Sequence, residues 1–158
     1  MIDGDKAKRA VSASLAKDEY LVAVKLLLRD GDKLLITHDV FGQWDIPGGR
    51  IRRDQFTTDL TDILDGKIKE ELGENLKYEL GDIRATFRVE RDEVGREGSK
   101  VRIFGVGYEA SYLGGEISLG EFHDKYEWID IKTVNLDDYE TNSGWVHLLK
   151  DYVEQSIK

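Results

Sequence analysis

Three carboxylates close one stretch of this chain. In Ile68-Lys-Glu-Glu-Leu-Gly-Glu74, Glu70, Glu71 and Glu74 fall on neighbouring faces of a helix at about 100° per residue, beside an apolar stripe. Carboxylates held at the edge of a buried face meet the need of a hard cation such as Mg²⁺, which takes oxygen ligands and keeps several waters. A solvated helix end would show the same residues. Upstream, Gly42-Gln-Trp-Asp-Ile-Pro-Gly-Gly49 joins an aromatic ring, the chain's single proline and paired glycines. Gly48 and Gly49 open conformations that other residues resist. They also let backbone N–H groups close on a ligand, as in phosphate-cradling loops. An ordinary turn after a strand has the same composition.

At these residues the sequence resembles the Nudix hydrolase family. That family's signature pairs a Trp-x-x-Pro-Gly-Gly loop with a helix bearing Arg-Glu, an aliphatic residue, any residue, Glu-Glu, any residue and Gly. Trp44-Asp-Ile-Pro-Gly-Gly49 matches the loop, and Ile68-Lys-Glu-Glu-Leu-Gly73 matches the second half of the helix. The resemblance extends to the hairpin before the loop and to Tyr126-Glu-Trp-Ile129. It implies an α/β/α sandwich with a mixed sheet. It also implies Mg²⁺- or Mn²⁺-dependent cleavage of a pyrophosphate bond in a nucleoside diphosphate linked to another moiety. By the same resemblance Glu70, Glu71 and the Gly49 carbonyl would hold metal, and Trp44, Pro47, Gly48, Gly49 and Arg50 would meet the substrate.

The departures are specific. Seventeen positions separate Gly49 from Gly66, three more than in the signature. Gln55, with Asp54 beside it, stands where strict spacing puts the first Glu. Gly66 and Lys67 replace the Arg-Glu pair, whose Glu in the family helps bind metal or acts as base. Lys67 is thus a candidate contact to a phosphate oxygen, as a point charge. The general base passes to another carboxylate, with Glu74, Glu121, Glu127, Glu90 and Glu93 as candidates and Glu127 the one carried forward. A module that binds nucleotide without hydrolysis is the alternative.

The elements that position these residues follow from hydrophobic patterning. Tyr20–Arg29 reads as a buried strand, Arg29-Asp-Gly-Asp32 as a turn, and Lys33–Thr37 as the returning strand. Leu60, Leu64, Ile68 and Leu72 recur every fourth residue, predicting a helix over Thr57–Leu72 ended by Gly73. Leu76–Leu80, Ile83–Val89, Val101–Tyr112 and Tyr126–Ile131 read as strands, with a turn at Gly114-Gly115. Gly144–Ile157 closes the chain as an amphipathic helix. Residues 5–17 form a short helix or a loose N-terminal extension. Strands and helices do not alternate regularly, which favours a mixed sheet with helices on its faces.

Composition sets the outer bounds. The chain has 158 residues and a formal net charge of −9, with 40% hydrophobic residues. That is one soluble domain, 1–158, able to bury about 70% of its unfolded surface. The acidity argues against extended nucleic acid as a partner. With no cysteine, disulfide frameworks, thiolate zinc sites and cysteine nucleophiles are excluded, as is the isopentenyl-type isomerase chemistry built on the same fold. No apolar run approaches a membrane span, and the start of the chain carries no apolar leader core, so the cytoplasm is the expected compartment. Arg84, Arg88, Arg91, Arg96, Lys100 and Arg102 cluster within one stretch. Either they guide a polyphosphate, with Arg88 as a substrate contact, or they are solvent-facing positions interspersed with Glu90, Asp92, Glu93 and Glu97. His123 is a better candidate than His38 for the site. Nucleoside triphosphates, dinucleoside polyphosphates, ADP-ribose and nucleotide sugars all remain open as substrates. A homodimer is compatible with the resemblance, and nothing in the sequence requires it.

Overall fold

The structure, a computed structural model, describes residues 2–94, 98, 100–139 and 144–157. The strand expected near Tyr20 spans Leu21–Asp30 (β1) and is apolar on both faces, because helices cover both. Ala23 and Leu27 point into one core with Trp145, Leu149 and Tyr152. Val24, Leu26 and Leu28 point into the other with Ile63, Leu64, Ile68 and Leu72. This is the expected α/β/α sandwich with a mixed sheet.

The remaining strands are Lys33–Asp39 (β2), Trp44–Asp45 (β3), Gly48–Arg50 (β4), Lys77–Val94 (β5), Lys100–Gly114 (β6) and His123–Asp130 (β7). β6 runs parallel to β1 along its whole length, from Leu21↔Ile103 to Arg29↔Ser111. β5 pairs antiparallel with β6, and β7 pairs antiparallel with β2. β1 and β2 hydrogen-bond only beside their turn, at Arg29↔Leu34 and Asp30↔Lys33. Beyond it they splay. β3 enters the gap on Thr37 and His38 of β2, and β4 enters it on Ala23, Val24 and Lys25 of β1. The glycine-rich loop is therefore wedged into the middle of the sheet. The Leu26 N–H donates to the Pro47 carbonyl at 2.8 Å and the Ile51 N–H to the Val22 carbonyl at 2.8 Å.

The helix that carries the carboxylates spans Leu60–Leu72 (α2). It starts three residues later than predicted, because the residues inserted after the loop form a 3₁₀ turn at Arg53–Gln55. Ile63, Leu64, Ile68 and Leu72 are buried against the sheet, each side chain contributing about 2 kcal/mol of transfer free energy. The C-terminal carbonyls of α2, which have no partner within the helix, are met by the segment crossing below them. The Ser118 N–H donates to the Leu72 carbonyl at 2.9 Å and the Gly120 N–H to the Glu71 carbonyl at 3.0 Å. A Cβ on Gly120 would stand 2.2 Å from the Glu70 carbonyl oxygen, so glycine is what lets this segment approach.

On the opposite face the final helix divides at Leu149 into Trp145–Leu148 (α3) and Lys150–Ser156 (α4). The N-terminal segment forms an exposed helix, Gly4–Leu15 (α1), capped by the Asp3 carboxylate. No helix among the described residues is long and apolar enough to cross a membrane. Arg96 and Glu97 lie outside the described residues.

Candidate active site

Gly48 joins the loop to the helix. Its φ is +129°, and a Cβ there would lie 2.1 Å from the Val24 carbonyl oxygen. No other residue can bring the backbone this close to β1 in this conformation. From that position its N–H donates to Glu71 Oε2 at 3.0 Å. Burial pushes the Glu71 carboxyl up to about 7, against the opposing pull of Lys25 and the Gly48 N–H.

Lys67 stands one turn before Glu71 on α2. Its stem packs on Gly49, with Cδ 3.3 Å and Nζ 3.5 Å from the point a Cβ on Gly49 would occupy. Burial pulls its ammonium below the usual lysine range, while Glu70 and Glu71 pull it back up and Arg52 and Lys25 add to the lowering. Glu70 is exposed beside it. One end of α2 thus presents two carboxylates and an ammonium to the edge of the loop.

Beneath them lies a partly buried ion pair. Lys25 interrupts the apolar run of β1 and is 3% exposed. Its Nζ donates to Asp45 Oδ1 at 3.2 Å and to the Ile46 carbonyl at 3.0 Å, and stands 4.8 Å from the centre of the Trp145 ring. Asp45 Oδ1 also accepts from the Ile46 N–H at 2.7 Å. The pair clamps the loop between β3 and β4. His123 lies alongside, half-buried. Burial lowers its imidazole pKa, and Asp45, Asp39 and Asp124 oppose that shift.

Sequence reasoning passed over Lys25 and Asp45 as parts of the site. The signal was there, because a lysine inside an otherwise apolar strand needs a buried partner.

Other expected residues lie elsewhere. Glu127 sits opposite Ile36 on β2, on the face of α3, where it accepts from the Tyr139 hydroxyl at 2.6 Å. The structure does not bring it to Glu70 and Glu71. Arg88 is exposed on β5, the edge strand of the sheet. Trp44 is half-buried against Tyr139 and His38, with ring centres 5.3 and 5.0 Å away, and Lys125 stands over its ring. Pro47 is buried. Two members of the basic stretch are neutralised locally: Arg102 binds Asp18 and Glu90, and Lys100 pairs with Glu90 and Asp92. From the loop, Arg50 binds Glu93.

That last contact draws the β5–β6 hairpin toward the loop. A polar cleft of about 450 Å³ opens there, lined by Gln43, Glu90, Arg91, Asp92, Glu93 and Lys100. Gln43 Oε1 is buried and has no hydrogen-bond partner among the described residues.

The resident divalent ion implied by the resemblance does not fit this donor set. Among the described residues no three acidic or histidine side chains converge as a metal site. Lys67 faces both Glu70 and Glu71, and Lys25 is a second cation near Glu71, where an empty divalent site would hold excess negative charge. One Glu71 oxygen is already engaged by Gly48.

No family model matches the chain, and no curated protein matches it significantly. Solved structures do. The chain is similar to an ADP-ribose pyrophosphatase from Streptococcus suis, with 20% identity and a TM-score of 0.62 over 89% of this chain and 94% of the other. It is similar to a MutT protein from Methanosarcina mazei, with 19% identity and a TM-score of 0.69 over 90% and 98%. It is also similar to a Nudix hydrolase from Nitrosomonas europaea, with 15% identity and a TM-score of 0.63 over 88% and 73%. The fold is that of the Nudix hydrolases.

Proposed function

We propose that this protein is a Nudix-type hydrolase that binds a nucleoside diphosphate linked to a second group and cleaves the pyrophosphate bridge. The observation that carries the reading is the Gly48 N–H···Glu71 bond at 3.0 Å. It fixes a deep carboxylate against the glycine loop, with Glu70 and Lys67 on the same helix end.

In this reading the diphosphate lies along Gly49 and Arg50. Lys67, Arg50 and Arg52 meet its charge. Glu71, held by Gly48 through one oxygen, takes a proton from the attacking water with the other. A carboxyl near 7 suits that role at neutral pH. Water oxygen bonds to one phosphorus as the bridging P–O bond breaks, and the bridging oxygen leaves on the second phosphate, to be protonated from solvent. Exposed Glu70 orients the water. The group beyond the diphosphate occupies the polar cleft, where the Gln43 amide oxygen accepts a hydrogen bond from it. The named activities of similar structures, ADP-ribose pyrophosphatase among them, support a linked nucleoside diphosphate as the substrate class. Mg²⁺ or Mn²⁺ belongs to this reading as the ion that accompanies the substrate's phosphates.

Lys67 favours a second reading, a module that binds the nucleotide and leaves it intact. One screen separates the two. Product release is measured over nucleoside triphosphates, dinucleoside polyphosphates, ADP-ribose and nucleotide sugars, with and without Mg²⁺ or Mn²⁺. Turnover in the parent that is lost in the Glu70→Gln/Glu71→Gln double variant establishes the hydrolase. Binding without turnover across the panel establishes the module.

A further inference from the structure

Lys67 is the cation of the site whose donors are unspent. It is half-buried, its stem is fixed against Gly49, and burial of an ammonium is unfavourable unless its donors are used. Yet among the described residues it makes no ion pair within 4.0 Å and no hydrogen bond, although Glu70 and Glu71 follow it by three and four positions, the spacing at which side chains on a helix meet. Lys25, by contrast, has its acceptors, and Arg50 and Arg52 have theirs. The ammonium sits at the edge of the glycine loop, where the bridge of a diphosphate would pass. Its place in the sequence is that of a carboxylate in the signature the chain resembles.

We propose that Lys67 is a tethered cation that replaces a divalent ion in holding the diphosphate, so that the site binds a nucleoside diphosphate without metal. The inference rests on the site assignment of the preceding section and does not require turnover. An ammonium with three donors and one full charge binds two phosphate oxygens as charge-assisted hydrogen bonds. Unlike Mg²⁺ it needs no carboxylate ligands, and its packing on Gly49 has already removed part of its hydration. Glu70 and Glu71 then serve to keep the local charge balanced, and a free divalent ion meets no excess of negative charge.

The test is calorimetric titration with ADP, and with inorganic pyrophosphate as the base-independent probe, in EDTA and in Mg²⁺. The parent should bind ADP in EDTA with an affinity within about threefold of that in Mg²⁺. Lys67→Gln, which removes the charge, keeps part of the stem and should fold normally by circular dichroism, should lose about ten- to a hundredfold in EDTA, the worth of one or two charge-assisted hydrogen bonds. Lys67→Arg should retain most of the binding. Lys67→Glu should remove ADP binding in EDTA and create affinity for Mn²⁺ alone, read as loss of the free-ion signal in electron paramagnetic resonance, where the parent shows none. ADP binding in Mg²⁺ but not in EDTA would overturn the tethered cation and leave the site standing. Unchanged binding in Lys67→Gln would do the same. No binding of either probe under any condition would overturn both.

Discussion

Lys25 Nζ lies 3.2 Å from Asp45 Oδ1 in the interior of the sheet, with the lysine side chain 4% exposed and the aspartate 24%. The two residues come from β1 and β3, which β2 separates in the chain, and their contact ties the glycine-rich loop to β1. A buried pair of this kind is felt mainly when one member is removed, because the other is left without compensation. Lys25→Met keeps the stem against Trp145 but strands Asp45 and the Ile46 carbonyl. It should destabilise the protein by about 3 kcal/mol in urea titration. Because Lys25 also draws down the Glu71 carboxyl, the same variant should move any pH profile governed by Glu71 upward. A destabilisation under about 0.5 kcal/mol, as expected of an exposed pair, would show that the pair does not clamp the loop.

Glu71 itself predicts a pH dependence of stability. Its carboxyl is raised from 4.5 to about 7 in the folded chain, so between those values the native state holds a proton that the unfolded state has lost. The unfolded state then binds fewer protons, and stability falls as pH rises through the window. The shift corresponds to at most about 3 kcal/mol. Glu71→Gln should remove this slope. It should gain stability relative to the parent at about pH 8 and converge with it below about pH 4.5. Parallel pH–stability curves for the two proteins would refute the assignment.

Two glycines distinguish close approach from mere turn geometry. Gly48 combines φ +129° with a 2.1 Å approach to the Val24 carbonyl oxygen, whereas Gly31 has φ +59° and open space around its missing Cβ. Gly31→Ala should cost about 1–2 kcal/mol, the penalty of the left-handed region for an L-residue. Gly48→Ala must push β4 away from β1 and break the bond to Glu71. It should lose more than about 4 kcal/mol, in the range of exceptional substitutions. Equal losses at the two positions, measured by chemical denaturation, would show that the backbone approach at Gly48 is not constraining.

How far these features were readable in the sequence depends on their range. Leu64, Ile68 and Leu72 mark α2 by local periodicity, and the apolar run at Val24–Leu28 marks a strand covered on both faces. The start of α2 lies at Leu60 and not at the predicted Thr57, because Thr57 and Thr58 follow a 3₁₀ turn that strict family spacing does not contain. Gly81-Asp82 suggested a break between two strands, but β5 carries register shifts between Leu80 and Ile83 and continues; a bulge absorbs what looked like a turn. The site divides the same way. Glu70, Glu71 and the paired glycines are contiguous motifs. The pairing of Lys25 with Asp45 needs the splay of β1 and β2, and the placement of Glu127 beside Tyr139 needs the register of β2 with β7. Neither is encoded in local spacing.

A last prediction concerns metal without nucleotide. A ligand that binds only the folded state raises stability by RT ln(1 + [L]/Kd), about 2.7 kcal/mol at a hundredfold excess over Kd. A resident Mg²⁺ site would therefore report itself in the melting temperature of the protein alone. With Lys67 facing Glu70 and Glu71 and Lys25 near Glu71, millimolar Mg²⁺ or Mn²⁺ should leave Tm within about 1 °C of its value in EDTA, since several degrees accompany each kcal/mol in a domain of this size. Lys67→Glu reverses the local sign by two charges and places a third carboxylate beside Glu70 and Glu71. Its Tm should fall in EDTA, because like charges at this spacing repel, and rise with added Mn²⁺. A parent protein that Mn²⁺ stabilises to the same extent would mean that Lys67 and Lys25 do not exclude a divalent ion, and that Lys67 turns aside to admit it.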